Sequence, residues 1–186
     1  MSPADARTLI AHQSLTGSGP ESWADLGAGD GTFTVALASL LPARSVIHSI
    51  DLDRRALAEI PRRHGPVDIV TDVGDFTSFP WPFSTLDGLL MANSLHYVAD
   101  QRRFLQLSKA HLARPRILLV EYDTDRANPW VPFPLGYKAA VELFKSSGYD
   151  EAIPIGRKRS RYRRADIYSV LFATVAQDAK RETSNF

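Results

Sequence analysis

The sequence predicts an open α/β sheet of seven strands, mostly parallel, with helices on both faces and an antiparallel hairpin at its C-terminal end. Three observations carry this prediction. Short apolar runs alternate with segments of helical spacing over the first two thirds of the chain. Several of those runs, such as Ile117-Leu118-Leu119-Val120, lack the polar alternation of a half-exposed strand. The last two runs are joined by a short basic connection with no helical segment between them. Strands that are apolar throughout are covered on both faces, and strand–helix–strand repeats close as right-handed parallel units.

The elements follow in order. Trp23-Ala24-Asp25-Leu26 is a short strand ending in glycines. Residues 31–41 place Phe33, Val35, Leu37, Leu40 and Leu41 at helical spacing, and Pro42 stops the helix. Residues 46–51 read as the second strand. Residues 54–63 read as a helix that Pro61 shortens, and 67–70 as the third strand. The stretch Phe79-Pro80-Trp81-Pro82-Phe83 is expected to close the core at the far sheet edge. Residues 86–92 form the fourth strand, 101–112 a helix through Phe104, Leu105, Leu107 and Leu112, and 116–121 the fifth strand. A helix over 135–147 ends at Gly148, and 152–155 with 167–175 make the hairpin.

The 186 residues suit one domain: an N-terminal segment (1–20), a core (21–123), a loop, helix and hairpin (124–177), and a tail (178–186). A formal charge of +1 gives no bulk attraction to nucleic acid or membrane. The chain has no cysteine, which excludes disulfides, thiolate metal sites and a cysteine nucleophile. No metal site is expected. No apolar stretch approaches the ~18–20 residues of a membrane span, and the N-terminus lacks the pattern of a signal peptide, so a cytoplasmic protein is expected.

The sharpest signal is Asp25-Leu26-Gly27-Ala28-Gly29-Asp30-Gly31, between a predicted strand and a predicted helix. Glycines there allow backbone angles closed to other residues and let a ligand approach main-chain N–H groups. Ligands of open α/β sheets bind at the carboxyl ends of the strands. The spacing is G-x-G-x-G rather than the G-x-G-x-x-G of a dinucleotide site, which disfavours a nicotinamide oxidoreductase. Asp25 beside the turn would repel a pyrophosphate and suits a cationic or hydroxyl-bearing ligand.

In these motifs the sequence resembles class I S-adenosylmethionine-dependent methyltransferases, a Rossmann-like family. The match runs over about residues 20–123, and the hairpin extends it to about 176. The resemblance implies S-adenosylmethionine as methyl donor and S-adenosylhomocysteine as product. It implies that Asp25, Gly27, Ala28, Gly29 and Gly31 form the first binding motif, and that Asp51 holds the ribose hydroxyls with Leu52 against the adenine. Asp75 and Phe76 would lie near the adenine amino group, and Asn93 near the methyl group. Asn93-Ser94-Leu95-His96 lacks the Pro-Pro-aromatic pattern of exocyclic-amine methyltransferases, and resembles small-molecule members instead.

The acceptor is therefore expected to be a small molecule, methylated on oxygen or nitrogen. His96 is the best placed titratable group for a general base. Tyr97, Tyr122, Trp130 and Phe133 are the expected acceptor contacts, the last two on a Pro-rich loop that alternatively covers the last helix as core. Two rivals stand beside this reading. The basic run from Arg157 to Arg164 suits a solvated sheet edge, or a contact to an acidic substrate or phosphate, while an RNA methyltransferase would use it for RNA, with Tyr162 for stacking. A non-catalytic subunit would keep the fold to support a partner chain. The brevity of the segment before the glycine turn predicts a site that is open or completed by a second chain.

Overall fold

The computed structural model describes residues 1–78, 81, 83, 85–159 and 165–174. The chain begins with α1 (Pro3–Ile10), a helix not anticipated from the sequence. Its start is nonetheless written there: Ser2 caps it by accepting from the Asp5 N–H at 3.1 Å, and Pro3 occupies the first turn, where no N–H is needed. After a 3-10 turn at Gln13–Leu15 come β1 (Ser22–Leu26), α2 (Thr32–Ala38), β2 (Val46–Asp51) and α3 (Arg54–Leu57). They are followed by β3 (Arg63–His64), β4 (Val67–Val73), β5 (Gly88–Ala92), α4 (Gln101–Ser108), β6 (Arg116–Tyr122), α5 (Tyr137–Ser146), β7 (Glu151–Arg159) and β8 (Asp166–Ala173). Among the described residues no helix is long and apolar enough to cross a membrane.

The strands form one sheet in the order β3-β4-β2-β1-β5-β6-β8-β7. The five from β4 to β6 are parallel, while β3, β8 and β7 pair antiparallel with their neighbours. The expected seven strands are all present, and β3 makes an eighth. Its origin is local. Pro61 ends the helix early, so α3 is a single turn, and Gly65 at φ +56° lets the chain reverse onto β4.

Other boundaries differ from expectation: α2 ends at Ala38, short of Leu41 and Pro42, and β4 continues to Val73. The helix over 101–112 ends at Ser108 and tightens into a 3-10 turn at Lys109–His111. β7 runs on to Arg159, so Arg157, Lys158 and Arg159 belong to a strand rather than to a connection. Ser160 to Arg164, with Tyr162, lie outside the described residues, as do 175–186.

The core lies on both faces of the sheet. Trp23, Leu37, Ile47, Leu118, Val120 and Ile10 pack on the α1–α2 face. Trp81, Phe104, Leu119, Phe144, Tyr149 and Phe172 pack on the α4–α5 face. β6 supplies both, because successive side chains point to opposite faces of a strand. β5 approaches β1 through Gly88, where a Cβ would fall 2.5 Å from the buried Trp23 ring. Trp81 and Phe83 are buried as core, but on the sheet face rather than at its edge: Phe83 stacks on His48 of β2 and Trp81 meets Phe104 of α4. Phe79, Pro80 and Pro82 lie outside the described residues.

The chain leaves β1 toward β2 on one side and returns to β5 on the other. That change of direction opens a crevice at the carboxyl ends of β1 and β5.

Candidate functional site

The glycine turn sits at the mouth of this crevice. Gly27 and Ala28 donate to Ile50 O at 2.8 and 3.0 Å, tying the turn to β2. Gly27, Gly29 and Gly31 all adopt positive φ, +79°, +55° and +77°. Their surroundings separate their roles. A Cβ at Gly27 would meet Ser94 at 2.6 Å, and one at Gly31 would meet Ile60 at 2.6 Å, so these two glycines serve close packing. A Cβ at Gly29 would meet nothing within 4 Å. Its backbone faces open space.

A cavity of about 370 Å³ opens there. Gly27, Ala28, Gly29, Asp30, Thr32 and Phe33 line it from the turn and α2, Ala92 and Asn93 from β5 and the residue after it, and Tyr122 and Ile167 from β6 and β8. Lys158 and Arg159 of β7 and Met1 and Asp5 of the N-terminal segment complete it. The N-terminal segment, expected to leave the site open, thus folds back as α1 and walls it on one side. Lys158 and Asp5 form an ion pair across this wall, which with the Ser2 hydroxyl holds the Asp5 carboxyl down at about 2.

Of the residues singled out in sequence, Gly27, Ala28, Gly29, Asn93 and Tyr122 meet on this cavity. Asp25 lies beneath it, 1% exposed. Its Oδ2 accepts from the Thr34 hydroxyl at 2.6 Å, and its Oδ1 has no partner. Burial away from water pushes this carboxyl up to about 7, the Thr34 hydrogen bond opposes the rise, and the Asp51 charge adds to it. Asn93 sits at φ +56°, its N–H donates to Val120 O at 2.8 Å, and its Oδ1 is buried without a partner.

Asp51 ends β2 beside the cavity. Its Oδ2 accepts from Gly29 N–H and its Oδ1 from Asp53 N–H, both at 2.8 Å, so two backbone groups orient the carboxylate. Leu52 next to it is 72% exposed. Gly74 N–H donates to Asp51 O at 3.0 Å, which brings Asp75 and Phe76 alongside. Asp75 closes a tight turn by accepting from Thr77 N–H and its hydroxyl, and Phe76 packs edge-on against Phe104. Asp51, Leu52, Asp75 and Phe76 thus form a second, exposed half of the crevice, on the β2–β4 side.

The expected acceptor residues divide. His96 is not among the cavity-lining residues. It is buried, its Nδ1 2.7 Å from Oε2 of buried Glu121, while its backbone N–H donates to Oε1 at 3.2 Å. The rings of Tyr97 and Tyr122 flank it, at 4.4 and 6.3 Å between centroids. His96 O accepts from Phe133 N–H at 3.0 Å, and Gln101 Nε2 donates to Phe133 O at 2.9 Å, so this pair anchors the loop after β6. Asp123 and Asp125 secure its far end by accepting from the N–H groups of Tyr137 and Gly136 at the start of α5. The loop does not cover α5 as core: Trp130 is 69% exposed and Phe133 42%.

Glu121 was noted in sequence only as the end of a strand. An acid at the close of the apolar run Ile117-Leu118-Leu119-Val120 was the signal for its buried role. The basic run read in sequence either as a solvated sheet edge or as a contact to an anion or RNA; its hidden feature was that Lys158 and Arg159 continue β7 and border this cavity.

Comparison with known proteins places these features in context. Residues 24–114 match a family model described as a methyltransferase domain. No curated protein matches the chain. Among solved structures, the N-terminal domain of EvdMO1, crystallised with S-adenosylhomocysteine and D-fucose, is 16% identical. The alignment covers 94% of this chain and 84% of that one, with a TM-score of 0.67. The YcgJ protein of Bacillus subtilis is 11% identical over 93% of this chain and 99% of its own, with a TM-score of 0.70. The magnesium protoporphyrin IX methyltransferase of Synechocystis PCC 6803, with bound S-adenosylhomocysteine, is 10% identical over 92% and 81%, with a TM-score of 0.62.

Proposed function

We propose that the chain is a class I S-adenosylmethionine-dependent methyltransferase that methylates an oxygen or nitrogen of a small-molecule acceptor held in the cavity at the ends of β5, β6 and β8, a reading supported by the methyltransferase-domain match over residues 24–114. The observation that carries the proposal is the shape of the crevice. An unobstructed turn at Gly29 and the Asp51 carboxylate that its N–H orients stand beside a cavity of molecular rather than polymer size. That one structural neighbour acts on a porphyrin and another was crystallised with a sugar supports a small acceptor.

The residues present fit the methyl donor. It is a cation that also bears hydroxyl groups, and the crevice offers two carboxylates, an open glycine backbone, and the partnerless oxygens of Asp25 and Asn93. When bound, the donor supplies an activated methyl group. Asp51 and Gly29 would hold it from one side and Asn93 from the other, and this chain's own contribution is to orient, desolvate and bring the partners together.

The geometry favours an anchoring role for His96 over proton transfer, because Glu121 engages its Nδ1 and its ring lies behind Tyr97 and Tyr122. With an acceptor in hand, the pH–rate profile should then keep its shape in His96→Gln. Loss of a limb near neutral pH would restore His96 as the base.

Asp51→Ala should weaken S-adenosylhomocysteine binding by ~1.5–3 kcal/mol, or roughly 10- to 150-fold, the range for hydrogen bonds to a charged group. Calorimetry measures it, with Asp51→Asn as a companion that retains an acceptor for the Gly29 N–H. An unchanged dissociation constant in both would remove Asp51 from the donor site.

A further inference from the structure

The cavity is electrically two-ended. On the glycine-turn side Asp30 lines it, with Asp51 beside and Asp25 beneath, an acidic surround suited to a cationic donor. On the opposite side stand Lys158 and Arg159. The two cations differ in availability. Lys158 is engaged by Asp5. Its neighbour Arg157 is also engaged, at 2.6 Å by Asp123, with its guanidinium over the Tyr137 ring. Arg159 is exposed and makes no ion pair among the described residues, although Asp166 faces it in the β7–β8 register.

Position assigns this free guanidinium to one half of the site. The residues attributed to the donor end β1, β2 and β5. β7 lies three strands beyond β5, about 14 Å at the usual spacing of ~4.8 Å per strand. Between them the wall is Tyr122 and Ile167, an aromatic and an aliphatic side chain around the space an acceptor would fill. We infer that the acceptor carries an anionic group, a carboxylate or a phosphate, and that Arg159 receives it at the β7 end of the cavity. This rests on the methyl-transfer reading above. A guanidinium matches either anion with two parallel hydrogen bonds and stays charged at any working pH. The Asp5–Lys158 pair fixes α1 against β7 next to Arg159. The same run of cations suits RNA less well, since two of its three described members are already paired and the space they border is small.

The test is calorimetry on protein saturated with S-adenosylhomocysteine, titrated at constant ionic strength with inorganic phosphate and, separately, with benzoate. At least one anion is expected to bind in the millimolar range, and the tighter of the two assigns the class. Arg159→Gln should weaken that binding fivefold or more while S-adenosylhomocysteine affinity stays within twofold. Three results overturn the inference: no binding of either anion to the saturated protein, anion binding indifferent to Arg159→Gln, or a loss of S-adenosylhomocysteine affinity in the variant, which would give Arg159 to the donor's own carboxylate. A fourth is Arg159-dependent binding of a single-stranded RNA far tighter than phosphate, which would replace the small acceptor by a polymer. Failure of wild-type protein to bind S-adenosylhomocysteine at all would instead bring down the methyl-transfer reading, and this inference with it.

Discussion

Asp25→Asn is expected to stabilise the ligand-free protein at pH 8, by about 1–3 kcal/mol, and to leave it unchanged or weaker at pH 5. The buried carboxyl ionises near 7 in the folded protein, against 3.8 for the ordinary side chain. Between those values the unfolded chain has released this proton and the folded chain has not. Stability from this group is therefore full below about pH 4 and falls as pH rises toward 7, because the unfolded state binds fewer protons. The full cost above pH 7 is of order 4 kcal/mol. Asparagine removes that pH dependence and still accepts from Thr34. Its amide, placed where Asp25 Oδ1 has no partner, costs about 1–3 kcal/mol in return, which leaves the net gain stated. Urea titrations at the two pH values measure it. Above pH 7 the same change removes a negative charge beneath the donor site, so S-adenosylmethionine affinity at pH 8 should fall at least tenfold. Asp25 would then exemplify a site residue kept at the expense of stability. Equal destabilisation at pH 5 and pH 8 would contradict this account.

Glu121→Ala should act in the opposite direction, destabilising the protein by about 2–5 kcal/mol. Glu121 is 1% exposed and accepts from two buried donors, the backbone N–H of His96 and its imidazole Nδ1. Truncation leaves both without a partner, and each unsatisfied buried group costs about 1–3 kcal/mol. The damage should spread outward. His96 O holds Phe133, and Phe133 fixes the loop that carries Trp130, so the exposed loop should gain amide exchange before the sheet does. Glu121→Gln, which can accept only one of the two hydrogen bonds through its carbonyl, should fall between wild type and alanine. Unfolding midpoints for the three proteins order the series, and an alanine variant as stable as wild type would show that the pair anchors nothing.

The legible parts of the chain were those where one residue type has one physical meaning. Gly148 follows the end of α5 at φ +80°, and the doubly apolar run at 117–120 has no stable place outside a covered sheet. The glycine turn was legible for the same reason. What the sequence hid was partnership across distance. That Gly31 faces Ile60 while Gly29 faces space depends on where the residues after α3 return. That Glu121 meets His96 depends on the parallel register of β5 and β6. The eighth strand came from Pro61 and Gly65 acting together, and the sequence reading used only Pro61, as the residue that shortens a helix. That Arg159, already part of a candidate basic contact in the sequence, borders this cavity depends on β7 continuing through the run.

The central claim is that the crevice between β1 and β5 holds the methyl donor. The most direct measurement is a calorimetric titration of the purified protein with S-adenosylmethionine and, separately, with S-adenosylhomocysteine. The account predicts micromolar binding of both, one molecule per chain. Failure of a folded protein to bind either would contradict it, and would reduce the glycine turn to a strand-to-helix connection.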